Sequence, residues 1–458
     1  MLRTPLEIAE RALALADAGT ALQVTVMRER SLMSRFARSA PTQATEIDDT
    51  EVEILVVRDG HSALASTNRL DDDALRDTAR RADAAARASA RSGTGNHPGV
   101  AAPGSAPLAG ADGFDAATAL LDPARAGAAL GRAFDVAAGH GLEAFGVWTA
   151  GAVRTAIAST SGLRLDEEVT DAFMKVICRN PGGRSGFASA TTTAAGAIDP
   201  GEVARRAAGK VGGEPLAELG PGEYPVVLEP AAVGVLLDFL GELAHNGLTH
   251  AEGRGALSGR LGTTVAAANI DLGDDAAGAH TLPRRFDFEG TPKQGVALIE
   301  GGVATGVVHD LRSAALAGDG THSTGHATQP GGSPYGPFPT NLVLRGGDAA
   351  GIEELVAPIQ RGIYVTRLWY VNPVRDKETL LTGMTRDGTF LIEDGVIARP
   401  LKDVRFTDSI LRLLSATQAL TRDRQLVSEG EFYGRRFAHG VVCPALRADG
   451  FRITGATR

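Results

Sequence analysis

Residues 51–88, EVEILVVRDGHSALASTNRLDDDALRDTARRADAAARA, decide the fold class. VEILVV and HSALAS are strand-like runs separated by Asp59-Gly60, a pair that supplies the positive φ angles of a tight hairpin turn. The period then changes. Leu75, Ala79, Ala82 and Ala86 recur at helical steps, which predicts an amphipathic helix from about Asp71 to Ala88. A hairpin followed by a helix of this kind begins a layer of helices on an antiparallel sheet, so the expected class is α+β.

Working outward, residues 5–18 predict another helix, and Leu22, Val24 and Val26 alternate with Gln23 and Thr25 as in a half-buried strand. Residues 89–117 are small, Pro/Gly-rich and aperiodic, which predicts a mobile surface loop. Asp122-Pro123 and Asp199-Pro200 each read as a helix cap followed by proline at the first helical position. AFGVWTAGAVRTAIAST and DAFMKVICR between them predict three or more strands. The segment GGEPLAELGPGEYP (212–225) marks a boundary, dividing an N-terminal α+β domain (1–215) from a larger strand-rich C-terminal domain (222–458) with a few buried helices. There AAVGVLLDFLGELAHNG predicts a buried helix, apolar on most of its circumference. TDSILRLLSATQAL predicts a late helix capped by Thr407.

Composition excludes several classes. The net charge of −9 disfavours a nucleic-acid partner bound through a broad basic surface. The longest apolar run, Val233 to Leu237 broken by Gly234, is too short to span a bilayer, so no membrane partner is expected. Glu7 and Glu10 within the first apolar pattern argue against a signal peptide, and cytoplasmic localisation follows as an expectation. Two cysteines, Cys178 and Cys443, cannot build a disulfide framework or a four-thiolate zinc site. The chain contains neither a P-loop motif nor a G-x-S-x-G elbow, and no G-x-G-x-x-G stands between a strand and a helix.

The candidate chemistry rests on few residues. His245 and His250, with Glu252 nearby, could hold a metal only if the helix ends between them, which Asn246-Gly247 favours. The plainer reading is a polar helix terminus. His322 and His326 lie in a Gly/Ser/Thr-rich loop that either shapes a peptide cleft, with Asn341 just beyond it, or folds over as surface. Cys178 and Cys443 read as core thiols, although Cys443 could also serve as a ligand. Asp274-Asp275 and Asp71 to Asp73 read as solvated turn or cap carboxylates.

At GVLLDFLGELAHNGL (234–248) the chain resembles the TldD/PmbA (TldE) family, two-domain proteins of a bacterial metallopeptidase. Further motifs carry the likeness: VRDGHSALASTNRLDDDALRDTARRA (57–82), FDFEGTPKQGVALIEGGVATGVVHDLRSAALAG (286–318), THSTGHATQPGGSPYGPFPTNLVLRGGD (321–348) and NPVRDKETLLTGMTRDGTFLIEDGVIARPLKDVRFTDSILRLL (372–414). Together they cover most of residues 50–90 and 225–455. The catalytic TldD-like branch carries H-E-x-x-x-H on the helix after G-V-L-L, with a zinc-binding cysteine later in the chain. Here the two histidine positions hold Asp238 and Leu243, and the general-base position holds Phe239. Cys443 lies past the family's cysteine position, and that role is not carried over. The resemblance therefore implies the TldE/PmbA-like branch, with no catalytic residue and no metal site of its own.

It further implies a TldD-like catalytic partner that holds the zinc, and a peptide substrate handled by strand addition in a closed chamber, with residues 322–338 as candidate lining. Whether the chain alone forms a homodimer stays open. Two alternatives remain: a self-sufficient metallopeptidase using His245, His250 and Glu252, and a regulatory binding protein of gyrase-modulator type without a peptidase partner.

Overall fold

The structure, a computed structural model, describes all residues except 1–2, 17–20, 92, 94, 105–112, 214, 279, 319, 429, 431–433 and 457–458. The N-terminal part runs α1 (Pro5–Leu15), β1 (Ala21–Ala37), β2 (Ala40–Arg58), β3 (His61–Thr67), α2 (Asp72–Ala90), α3 (Ala116–Ala119), α4 (Pro123–Gly139), β4 (Glu143–Ser159), β5 (Arg164–Arg179), β6 (Ser185–Thr192) and α5 (Pro200–Gly209). The six strands form one antiparallel sheet in the order β3-β2-β1-β4-β5-β6. The hairpin turn carries φ of 50° at Asp59 and 72° at Gly60. Asp71, Asp122 and Asp199 each cap the helix that follows, accepting from backbone N–H groups in its first turn.

Strand alternation explains why this sheet reads as more apolar than a one-sided sheet. On one face Val24 and Val26 pack with Ile54, Leu75 and Ala82 beneath α1 and α2. Further along the same face, Phe36, Trp148, Met174 and Cys178 pack beneath α4 and α5. The opposite face is covered by the C-terminal part of the chain: Gln23 donates to Phe288 O at 2.7 Å, and Met27, Val153 and Val169 pack with Phe288. Neither side of the central strands is left to water.

The aperiodic segment 89–117 meets ordered elements at both ends. Ser89 and Ala90 complete α2, and 116–117 begin α3. His97 is buried, with Nε2 3.1 Å from Gly331 O, and Ala101 is also buried. These two anchors tie the segment to the protein at His97 and Ala101; its centre lies outside the described residues.

The C-terminal part continues with β7 (Gly222–Leu228), α6 (Pro230–Leu243), α7 (Gly247–Ala251), β8 (Leu272–Asp274), β9 (Val296–Glu300), β10 (Val303–Ala304), α8 (Leu311–Ala317), β11 (Asn341–Leu344), α9 (Ile352–Val356), β12 (Arg361–Val365), β13 (Leu368–Arg375), β14 (Leu380–Thr385), β15 (Thr389–Glu393), β16 (Val396–Pro400), β17 (Val404–Ser409), α10 (Ile410–Ser415), β18 (Thr417–Val427) and β19 (Gly440–Ala456). These strands form a second, mixed sheet of 13 strands around β19, which pairs with β7, β11, β17 and β18. Helix α6 lies on that sheet, and Gly234 is the point of closest approach: a Cβ there would stand 2.3 Å from Val427 Cγ2.

The late helix is shorter than its pattern predicts. Thr407 lies inside β17 and is not a cap; Ser409 caps α10 instead, its hydroxyl accepting from Arg412 N. Residues 417–420 have left the helix for β18, where pairing with β19 overrides their helical spacing. Among the described residues no helix is long and apolar enough to cross a membrane.

Candidate functional site

Helix α6 has two faces. Val233, Gly234, Leu236, Leu237, Leu240, Gly241 and Leu243 are buried. Val235, Asp238, Phe239 and Glu242, at steps of three, four and seven residues from the first, share the other face and line a cavity of about 560 Å³. Leu368, Trp369, Tyr370 and Val371 of β13 form its opposite wall, and Phe338 and His439 complete it. The His439 ring packs edge-on against Phe338, with centroids 5.5 Å apart. Tyr370 adopts φ of 53° where the β13–β14 register shifts, so the strand kinks beside the cavity. β13 pairs only with β14 among the described strands, which makes it a sheet edge.

Glu242 is solvent-exposed along part of its side chain, yet desolvation by the neighbouring protein surface and the charge of Asp376 push its carboxyl above the ordinary range. Trp369 also lines a second cavity of about 580 Å³, formed where β4, β5 and β6 meet β13, β14 and the Arg386-Asp387 turn that follows it. Between the two, Arg367 is stacked on Phe187 (4.6 Å) and Trp369 (4.7 Å) and pairs with Asp387 at 3.0 Å.

The positions matching the family's zinc motif do not fit a zinc ion. Asp238 supplies one carboxylate, whereas Phe239 has no donor atom and Leu243 is a 6% exposed member of the hydrophobic core. Cys443 is fully buried, with Sγ 3.3 Å from Pro230 O; burial, helped by the Asp238 charge, raises its pKa far above the ordinary thiol value. Cys178 is likewise buried, and burial pushes it to about 11. Both cysteines thus sit in the core as protonated thiols.

The other predicted residues are placed apart from the cavity. α6 does end before His245, and His250 lies on α7, but His245 is fully buried with Nδ1 2.9 Å from Gly306 O. Burial pushes its pKa down to about 4, so the ring is neutral. Glu252 pairs with Arg254 at 2.5 Å. Among the described residues no group of three or more His, Cys, Asp or Glu side chains is placed to hold a metal ion.

The loop at 322–338 does not act as a unit. His322 is exposed, while His326 is buried with Nε2 3.1 Å from Asp274 Oδ1. Asn341 is buried too, its N–H donating to Asp274 Oδ2 at 2.8 Å and its side-chain oxygen accepting from Leu282 N. The structure thus joins His326 and Asn341 through Asp274 inside the protein, where both side chains are buried. From this loop only Phe338 appears among the residues lining the α6 cavity.

Asp274 also corrects its reading as a solvated acid. Burial pushes its carboxyl up, but His326, Lys293 and the Asn341 amide outweigh that, leaving it ionised and below its usual range. Burial first and the Lys293 charge second lower His326, and burial lowers Lys293 in turn against the charges of Asp274 and Asp287; Lys293 Nζ donates to Thr340 Oγ1 at 2.8 Å.

Beside this group, Asp287 accepts from Glu289 N, Thr291 N and Ala327 N, each at 2.9 Å. Burial nevertheless pushes it up to about 6. Glu289 accepts from Leu311 N through Oε2, while its Oε1 has no partner among the described residues. Burial and the charges of Asp287 and Asp310 raise it well above the carboxylate range.

The sequence reading passed over Glu242, Trp369, Tyr370 and His439. A usable signal was present in RLWYVNP, where adjacent aromatic residues break strand alternation.

Comparison with known families places residues 221–455 in the PmbA/TldA metallopeptidase C-terminal domain and residues 23–86 in PmbA/TldA metallopeptidase domain 1. A protein named "Metalloprotease" from Methanothermobacter thermautotrophicus is 27% identical over 208 residues, 45% of this chain and 44% of that protein. The matched region thus spans less than half the length of that relative. Among solved structures, TldE from Thermococcus kodakarensis superposes with a TM-score of 0.83 at 19% identity, covering 98% of this chain and 99% of that one. A putative modulator of DNA gyrase from Thermotoga maritima superposes with a TM-score of 0.81 at 20% identity, covering 98% and 100%. A second protein so described, from Bacteroides thetaiotaomicron, gives 0.75 at 18% identity, covering 98% and 97%. At these identities the structures speak for the fold alone, while the family match runs through the C-terminal sheet and α6 itself. The chain belongs to the TldD/PmbA (TldE) metallopeptidase family.

Proposed function

We propose that this chain is a non-catalytic, TldE/PmbA-like subunit of a two-subunit zinc metallopeptidase acting on small or unfolded peptides in the cytoplasm. The observation that carries the reading is the chemistry of α6: an aspartate, a phenylalanine and a core leucine occupy the positions where two imidazoles and a carboxylate would grip zinc and activate water. The zinc and the reacting water then belong to a TldD-like partner carrying H-E-x-x-x-H. This chain contributes a wall of the chamber and a surface for the peptide. Edge strand β13, with exposed Trp369 and Tyr370 beside the cavity, supports a role in binding extended chains by strand addition.

The test is to purify the chain alone and with a TldD-like partner, then measure bound zinc by mass spectrometry and hydrolysis of unstructured peptides. The expected result is neither stoichiometric zinc nor hydrolysis by the chain alone, and zinc-dependent hydrolysis by the pair that exceeds that of the partner alone. One tightly held divalent ion per chain together with peptidase activity in the isolated protein would overturn the assignment.

A further inference from the structure

The cavity on the open face of α6 has a chemical character that the missing zinc motif does not explain. About 560 Å³ is within the ordinary range for a small-molecule or side-chain site. Four of its walls are aromatic: Phe239, Phe338, Trp369 and Tyr370. Its carboxylates, Asp238 and Glu242, sit one helical turn apart on α6, and Asp376 adds negative potential near Glu242. No lysine or arginine is among the described lining residues. Two guanidiniums already stack on Trp369, Arg367 at 4.7 Å and Arg386 at 5.2 Å, both beside Asp387, so the faces left for an incoming cation are those of Phe239, Phe338 and Tyr370.

Aromatic faces attract cations through their quadrupoles, and the attraction grows as water is displaced. A carboxylate beside such faces is desolvated at a cost unless an opposite charge enters with the ligand. An acidic ligand would meet like charge, and a neutral apolar one would leave Glu242 without compensation. A chain added to β13 would run on past the cavity in both directions, so the group entering it would be a side chain projecting from the middle of a peptide.

We propose that this cavity is a recognition pocket for the basic side chain, of lysine type, of an extended peptide, seated between the aromatic walls with its charge toward Glu242 and Asp238. The inference rests on the peptide-binding role proposed above and adds the class of peptide. Selection of basic chains by the inert subunit would give the pair a preference that the zinc centre need not supply.

The test uses the full chain and three fluorescent heptapeptides, blocked at both ends and differing only at the central residue: lysine, norleucine or glutamate. Binding is followed by fluorescence anisotropy. In the wild type the lysine peptide is expected to bind at least about tenfold more tightly than the norleucine peptide, a ratio within the range of a desolvated cation–aromatic contact plus an ion pair. The glutamate peptide should bind weakest. Glu242→Gln, on the open face of α6, should reduce the lysine-to-norleucine ratio to less than about threefold, a margin near the weak end of a cation–aromatic contact alone. Trp369→Ala should weaken both peptides. Equal affinity for lysine and norleucine peptides, an unchanged ratio in Glu242→Gln, or no binding of any peptide would overturn the pocket. None of these results alters the zinc content or the partner-dependent hydrolysis by which the subunit role is tested, so the two can fail separately.

Discussion

Arg436 and Asp171 form a two-bonded ion pair, Nε to Oδ1 at 2.7 Å and Nη2 to Oδ2 at 2.6 Å, with side chains 3% and 6% exposed. Asp171 belongs to β5 of the first sheet, and Arg436 lies in the segment leading into β19 of the second. Arg436 Nη1 also reaches Thr149 Oγ1 at 3.0 Å, and its backbone N–H donates to Glu29. A Cβ at Gly151 would stand 2.5 Å from the guanidinium, so β4 is glycine there to let the arginine pass. Removing one partner strands a buried charge. Arg436→Ala is expected to lower stability by about 3–5 kcal/mol, read from urea denaturation. Arg436→Lys should recover little, because an ammonium cannot make both parallel bonds.

Gly234 sets the distance between α6 and the sheet. Gly234→Ala would gain about 1 kcal/mol of helix propensity. It would also press a methyl group into Val427, a stiff side chain held in β18. Overpacking of this kind costs about 1–3 kcal/mol, so net destabilisation is expected. Combining it with Val427→Ala should recover part of the loss, which a double-mutant cycle by thermal unfolding would measure.

Leu243 tests the same helix from within. Leu243→His, which restores one residue of the family's motif, places an imidazole in the core. The expected loss is about 2–4 kcal/mol, combining lost apolar burial with an imperfectly bonded polar group. Phe239→His, on the cavity face, should cost clearly less. Chemical denaturation of the two variants side by side gives the comparison.

The Asp287–Glu289 pair should make stability depend on pH. Both carboxyls lie above their unfolded values in the folded protein, Asp287 at about 6. A raised folded value means that the favourable contribution is complete below the unfolded value, near 4, and is lost as pH rises through the folded one. Relative to Glu289→Gln, which keeps Asp287, the wild type should therefore weaken as pH rises above the unfolded glutamate value, near 4, and go on weakening until it reaches the raised value of Glu289. Urea midpoints at pH 5, 6.5 and 8 should converge or cross in that order. Parallel curves would place the titration elsewhere.

The hairpin at Asp59-Gly60 and the helix caps at Asp71, Asp122 and Asp199 were legible in the sequence because each depends on a few neighbouring residues. The stripe Leu75, Ala79, Ala82 and Ala86 was legible for the same reason. Thr407 misled because local spacing cannot register its pairing with Thr382 of β14, nor the pull of β19, which begins at Gly440, twenty residues beyond the proposed helix. Asp274 and His326 are fifty-two residues apart in the chain, so nothing in the pattern of either could announce their contact. That Phe239 and Leu243 carry no metal-binding atom was readable as side-chain chemistry. The cavity around them was not, since Trp369, Tyr370 and His439 reach it from remote strands and loops.

The first sheet has its helices on one side and the remainder of the polypeptide on the other. A fragment ending near residue 212 would bare a broad plane carrying Glu167, Asp171 and Phe173 with nothing to meet them. Its counterpart would offer Arg284, Arg435 and Arg436 to solvent in the same way. Cut at that joint and produced separately, the two pieces should prove insoluble or sticky alone and regain order when mixed, as halves of one folding unit do.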